Sequence, residues 1–369
     1  MREIKILAIV VVIVGVLYWG VEPLAHSVFH PKSAPSDFAF RDLDRVDLSK
    51  ADAQRGKDLV EANCAACHNI KAIGIDNGVV AFPAGNGEIT TPDLSTAGAL
   101  YDENFLATLI VDPVKAVKLG HKFSDENPFP MTAYDGDKQD VADMVAFLKS
   151  IGATSLKYNV LDSDEYVAKK DALANSALSD SQKEVELAKI EKQLTNKAVF
   201  KDACSRCHTI KYDEPKTKAQ MEADEVKKAN IRGYLGAEAP DLSMMIRSKG
   251  EHYLEGFIND PQKVSYNAIK QAIIAKEGSL PENSAKSEWQ DNDDYSNLAK
   301  ELGVMPNGLS MPRTGLTQES QERVIAYLES IGDSKKAERE NLGVYIIIFF
   351  AILSVLAFLW KRKIWKDLH

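Results

Sequence analysis

Two short segments place cysteine and histidine at a fixed spacing: Cys64-Ala65-Ala66-Cys67-His68 and Cys204-Ser205-Arg206-Cys207-His208. In a C-x-x-C-H run the sulfurs sit about one helical turn apart. There they can form thioethers with the two vinyl groups of a haem, and the histidine that follows faces the iron. The two pairs use all 4 cysteines of the chain, so none is left for a disulfide. Zinc also takes C-x-x-C pairs, but here each pair lies in its own half of the chain. A shared four-cysteine site would have to bridge the halves. Each pair is also followed directly by His and, far downstream, by Met. The expected cofactors are therefore two covalently bound haem c groups, ligated on one side by His68 and His208.

The sixth ligand must come from elsewhere. Met131, in Pro128-Phe129-Pro130-Met131, and Met311, in Ser310-Met311-Pro312, each lie 21 residues before a glycine, Gly152 and Gly332. A thioether opposite histidine raises the reduction potential. His121 is an alternative for the first haem and Met305 for the second. Met144 falls on the apolar stripe of a helix and reads as core. A repeated Pro-Asp-Leu-Ser, at Pro92 and at Pro240, has a further use. A proline keeps its carbonyl, and the carbonyl of Pro92 or Pro240, or of the residue just before, can accept from the far nitrogen of the iron-bound imidazole. The same residues can equally open a helix.

These landmarks recur in one order, which marks an internal duplication. The C-x-x-C-H motifs are offset by 140, the Pro-Asp-Leu-Ser motifs by 148, and Phe105-Leu106 with Asp112-Pro113 match Tyr253-Leu254 with Asp260-Pro261, again at 148. Met131 and Ser150-Ile151-Gly152 match Met311 and Ser330-Ile331-Gly332 at 180. The added length falls in two polar stretches, Lys211 to Asn230 and Gln271 to Lys300, which read as surface loops. The second holds an acidic run, Asp291 to Asp294. Apolar residues Val141, Met144, Val145 and Leu148 line one face of a helix that should stop at Gly152. Val324, Tyr327, Leu328 and Ile331 do the same up to Gly332. Asp137 and Thr317 are the expected caps. Lys50 to Asn63 has helical character, and no alternating strand pattern is present. The fold class is all-α.

Both ends are apolar. Ile6 to Val21 follows Arg2 and Lys5. Leu342 to Trp360 is uncharged over 19 residues and precedes Lys361, Arg362, Lys363 and Lys366. A bilayer core of roughly 30 Å takes about 20 residues of helix, and the positive flanks put both ends in the cytoplasm. A cleaved signal peptide is the alternative for the first, although no clean cleavage site follows it. The resulting order is an anchor at 1–30, a haem domain at 31–153, a solvated helical connector at 154–197, a second haem domain at 198–334, and an anchor with a basic tail at 335–369. A net charge of -9 argues against nucleic acid as a partner. His26, His30, His252 and His369 have no partner spacing that suggests a metal.

Two C-x-x-C-H units with downstream methionines resemble class I cytochrome c domains in tandem. Ala239-Pro240-Asp241-Leu242-Ser243, Met311-Pro312 and a terminal membrane helix with a basic tail resemble cytochrome c1, and the doubled arrangement resembles the diheme c1 subunits of some bacteria. Ordinary c1 has one haem and a removed leader. Met131 is preceded rather than followed by proline. The resemblance implies a respiratory electron-transport subunit of a cytochrome bc1 complex, in a dimeric assembly of the bacterial inner membrane, its haem domains in the periplasm. Its partners would be the cytochrome b and Rieske iron–sulfur subunits, with a soluble cytochrome c or a terminal oxidase as acceptor. No substrate chemistry of its own is implied. The diheme subunit of a haem–copper (cbb3-type) oxidase and a diheme peroxidase are the competing readings.

Overall fold

In the computed structural model of the protein, the described residues are 2–21, 24, 38–120, 122–123, 127–213, 215–280, 298–299, 301–304 and 310–368. His26, His30, His121, Met305, His369 and the acidic run Asp291 to Asp294 lie outside them. The chain divides into two units, Met1–Pro35 and Ser36–His369. The first holds helix α1 (Arg2–Val16), continued by a wider turn at Leu17–Val21.

The second unit is mostly helical. Its elements are α2 (Ala53–Asn63), a β hairpin of β1 (Ala81–Ala84) and β2 (Gly87–Thr90), and α3 (Ala97–Leu100), α4 (Glu103–Val111) and α5 (Pro113–Val117). Then come α6 (Lys138–Leu161), α7 (Asp164–Ala174), α8 (Asp180–Ala203), α9 (Lys218–Leu235), α10 (Met245–Lys249), α11 (Glu251–Ile258) and α12 (Pro261–Glu277). The chain closes with α13 (Gln318–Gly332) and α14 (Lys336–Leu368). Helices Ile4–Val21 and Lys336–Lys366 are long and apolar enough to cross a membrane, and their side chains are not buried against protein.

Equivalently spaced residues form the core around each motif. Around the first motif, Val60, Ile70, Met144, Phe147 and Leu148 are buried together, with Leu94 packed against them. Around the second, Phe200, Ile210, Val324, Tyr327 and Leu328 are buried together, with Leu242 against them. These six pairs differ by 140, 140, 180, 180, 180 and 148 residues, the offsets of the motifs nearest to them. Each such side chain contributes roughly 1.5–3 kcal/mol on burial.

Helix caps follow from single side chains. Asp137 accepts from the Asp140 N–H and Thr317 from the Ser320 N–H, so α6 and α13 start where the sequence indicates. Their ends differ. Helix α13 stops at Gly332, whereas α6 runs through Gly152 to Leu161. Gly152 is there for contact rather than termination: a Cβ would sit 2.5 Å from the Ala99 nitrogen. Gly332 meets the equivalent segment, with a Cβ there 2.7 Å from the Ser243 carbonyl and 2.8 Å from Ile246 Cγ2.

Three further features depart from the sequence reading. The hairpin, paired Ala81↔Thr90 to Ala84↔Gly87, is too short to show an alternation. Much of the polar stretch Lys211 to Asn230 is helix, because Thr217 and Gln220 form a capping box that starts α9, and the apolar Ile231 and Leu235 bury its end. Helix α12 likewise extends to Glu277, with Ile269 and Ile273 fully buried.

Helices α2 and α6 meet at Gly56, where a Cβ would fall 1.9 Å from the Asp143 carbonyl oxygen. The contact is pinned by Asp143, whose carboxylate accepts from the Asp52 N–H at 2.8 Å and from Gln139 at 2.8 Å and pairs with Arg55. Gly56→Ala should therefore cost about 1–3 kcal/mol through overpacking. Chemical denaturation of the full chain in detergent measures it, and an unchanged midpoint would contradict this close approach.

Candidate haem sites

Each C-x-x-C-H motif winds off the end of a helix. At the first, Cys64 ends α2 with its N–H on the Val60 carbonyl, and the N–H groups of Cys67 and His68 both return to the Cys64 carbonyl, at 3.1 and 2.8 Å. At the second, Cys204 ends α8 on the Phe200 carbonyl, and Cys207 and His208 return to Cys204 at 3.1 and 3.0 Å. The turn puts both sulfurs and the imidazole at one helix end.

A second segment then fixes the ring. His68 Nδ1 lies 2.9 Å from the Pro92 carbonyl oxygen, and His208 Nδ1 lies 2.9 Å from that of Pro240. A carbonyl only accepts, so Nδ1 carries the proton and Nε2 keeps its lone pair for a metal. Burial pushes both histidines below their ordinary range despite this hydrogen bond, which favours the neutral, ligating form.

The proline segment is itself clamped in the same way twice. Leu94 N–H donates to Asn69 and Leu242 N–H to Thr209, at 2.8 and 3.0 Å. Ser95 Oγ accepts from the Ala72 N–H at 3.0 Å, and Ser243 Oγ accepts from the Lys211 and Tyr212 N–H groups at 2.7 and 3.3 Å. At the first site Thr91 Oγ1 also donates to the Cys67 carbonyl at 2.6 Å.

Met131 and Met311 are both half-buried. The Met311 loop is held on either side, by Ser310 Oγ on the Leu235 carbonyl at 2.9 Å and by the Arg313 N–H on the Val117 carbonyl at 3.0 Å. The Met131 loop is fixed by the Tyr134 N–H on Ile110 at 2.8 Å and by Phe129, which packs edge-on against Phe123 at 5.0 Å. Met144 is 1% exposed within the first core. His252 is exposed and pairs with Glu255.

These residues fit a haem. As free thiols, Cys64 and Cys204 are pushed up by burial to about 11 and about 12, the opposite of a reactive dithiol, whose thiolate is stabilised. Among the described residues, no group of three or more His, Cys, Asp or Glu side chains could hold a metal ion, so the four cysteines do not form a shared zinc site. Arg206 Nε is buried with no hydrogen-bond partner among the described residues, and a porphyrin carboxylate is an acceptor of the right charge. Sequence reading passed over Arg206, whose only signal was a cation between the two cysteines.

Residues 53–152 match the family described as cytochrome c. This segment is a cytochrome c domain. A domain of this kind is an electron carrier and holds haem c covalently. The ammonia monooxygenase gamma subunit of Nitrosomonas europaea is 26% identical over 162 residues, covering 42% of this chain and 64% of that protein. Cytochrome c1 of Allochromatium vinosum is 24% identical over 165 residues, covering 42% of this chain and 63% of that protein. Cytochrome c of Tetrahymena pyriformis is 29% identical over 111 residues, which is 29% of this chain and 94% of that protein. The chain thus spans slightly under two thirds of the length of the first two relatives. No solved structure matches.

In the cytochrome c domain and in the second repeat alike, one serine hydroxyl holds the loop after the histidine. Ser243 is 1% exposed. Ser243→Ala removes the acceptor of the Lys211 and Tyr212 N–H groups, at about 0.5–1.5 kcal/mol for the hydrogen bonding lost at a part-buried site. Hydrogen exchange at these two amides should speed up by about two- to tenfold, while an unchanged rate would show that the clamp is immaterial.

Proposed function

We propose that the chain is a membrane-anchored diheme c-type cytochrome of a bc1-type quinol:cytochrome c oxidoreductase. It takes electrons from the Rieske protein and passes them to a soluble cytochrome c or a terminal oxidase. The observation that carries this is the repeated imidazole-to-proline-carbonyl bond, 2.9 Å at both sites, each beside its own C-x-x-C-H turn. One cytochrome c domain occupies residues 53–152, and the matching bonds and core positions of the later residues support a second over 198–334. Haem held at these sites supplies one-electron redox chemistry.

The chain's own residues set the terms of that chemistry. Cys64, Cys67, Cys204 and Cys207 attach the macrocycles, and attachment lets each small repeat use one as core. His68 and His208, oriented through Pro92 and Pro240, would hold the irons together with Met131 and Met311, whose thioethers would raise the potential. The chemistry supplied would be outer-sphere electron transfer.

The relative named cytochrome c1 and the helix Lys336–Leu368, ending in Lys361, Arg362, Lys363 and Lys366, support the bc1 assignment. The basic flanks at both ends favour cytoplasmic termini with the haem repeats on the periplasmic side. Met311→Leu should lower the midpoint of one haem and leave the other unmoved, and Met131→Leu should lower the other. Redox titration of the detergent-solubilised complex reads both, and unmoved midpoints would count against these ligands. Co-purification with a Rieske protein is expected, and recovery with an oxidase subunit instead would overturn the bc1 reading.

A further inference from the structure

Both methionine loops are fastened at the third residue past the methionine. The Tyr134 N–H donates to the Ile110 carbonyl at 2.8 Å, and Thr314 Oγ1 donates to the Ile258 carbonyl at 3.0 Å. Donors and acceptors differ by the repeat offsets of 180 and 148. The second loop has a further hold. Where the first has Ala133 it has Arg313, whose side chain is 2% exposed. That guanidinium pairs with Asp42 and lies over the Phe40 ring at 5.8 Å. Phe40 is in turn buried with Leu43, Phe105 and Ala116, so the anchor belongs to the first repeat. The Arg313 N–H reaches the Val117 carbonyl of that repeat at 3.0 Å. Lys118 lies 3.6 Å from Asp42 and 3.3 Å from Asp260, which carries the charge network back to the second repeat. Asp44 offers a contrast. It has the same charge two residues on, but it is exposed and pairs with Lys115 at 3.7 Å.

We propose that Asp42 is a positioning residue for the second haem site, holding the Met311 loop through Arg313. The inference rests on the two-haem reading above and on Met311 as a ligand. A loop that is fixed in advance loses less freedom when its sulfur binds, and a charge-assisted pair fixes it more firmly than a neutral bond. The first repeat thereby sets how tightly the second iron keeps its methionine. The Met131 loop, with alanine at the matching position, has no such dependence on its neighbour.

The test is imidazole binding to the oxidised full chain in detergent, followed by absorbance after a pyridine haemochrome has counted haem. Imidazole must displace the methionine, so its apparent affinity reports how firmly the loop holds the sulfur. Met311→Leu removes the competitor, and the binding phase it tightens is that of the second haem. Asp42→Asn should tighten the same phase about tenfold, in keeping with one lost charge-assisted hydrogen bond, and leave the other phase unmoved. Asp42→Glu should return it to near wild type, and Asp44→Asn should move neither phase. If Asp42→Asn does not accumulate with both haems, Asp42→Ser makes the same comparison. An unmoved second phase, equal shifts in both phases, or an Asp44→Asn effect as large as that of Asp42→Asn overturns the proposal while leaving the diheme reading intact. No shift in Met311→Leu overturns the ligand assignment, and a wild-type count of one haem overturns the diheme reading; the proposal falls with either.

Discussion

A histidine can hold a metal reproducibly only if its ring is prevented from turning and its proton is kept on the nitrogen that faces away. Here one backbone carbonyl meets both demands, and everything else at the site exists to bring it there. The carbonyl belongs to a residue 24 positions after His68 and 32 after His208, so two separate stretches of chain must be locked together. The Leu94 and Leu242 N–H groups, with Ser95 and Ser243, make that lock. A proline suits the acceptor position because its carbonyl remains available while its ring restricts the backbone that presents it.

Around that bond the fold is built by close approach. Gly56 lets α2 lie on α6, and Gly98 and Gly152 bring α3 against α6, where a Cβ on Gly98 would reach within 2.1 Å of the Leu148 carbonyl oxygen. The repeats are also tied to each other by backbone bonds: Asp102 N–H to Gly315, Thr317 N–H to Leu100, and Arg313 N–H to Val117. Gly233, on the helix inserted in the second repeat, packs against the hairpin tip at Asn86 of the first. An electron carrier gains from such stiffness, since little nuclear rearrangement should accompany a change of charge. The buried Arg313, paired with Asp42 and lying over Phe40, extends the same tie to the chain ahead of α2.

What could be read from the sequence was whatever is local or repeated. The C-x-x-C-H turns, the caps Asp137 and Thr317, and the stripe Val141, Met144, Val145, Leu148 depend on a few neighbouring residues, and duplication showed each pattern twice. Contacts between segments were hidden. Gly152 looks like a helix stop, and only the approach of Ala99 explains it. The stretch Lys211 to Asn230 is polar because most of α9 is exposed, and its helical state is decided by a capping box and by two apolar residues at its far end. The hairpin is four residues a side and is steadied by the glycine-lined contact with α9, which no period in the sequence reports.

Covalent haem at two places in one polypeptide is the requirement on which the proposed electron path depends. Intact-mass and peptide-level mass spectrometry of the protein purified from its native membrane tests this most directly. Two haem adducts are expected, one on the peptide bearing Cys64 and Cys67 and the other on the peptide bearing Cys204 and Cys207. A mature chain carrying a single adduct, or with free thiols at Cys204 and Cys207, would contradict it.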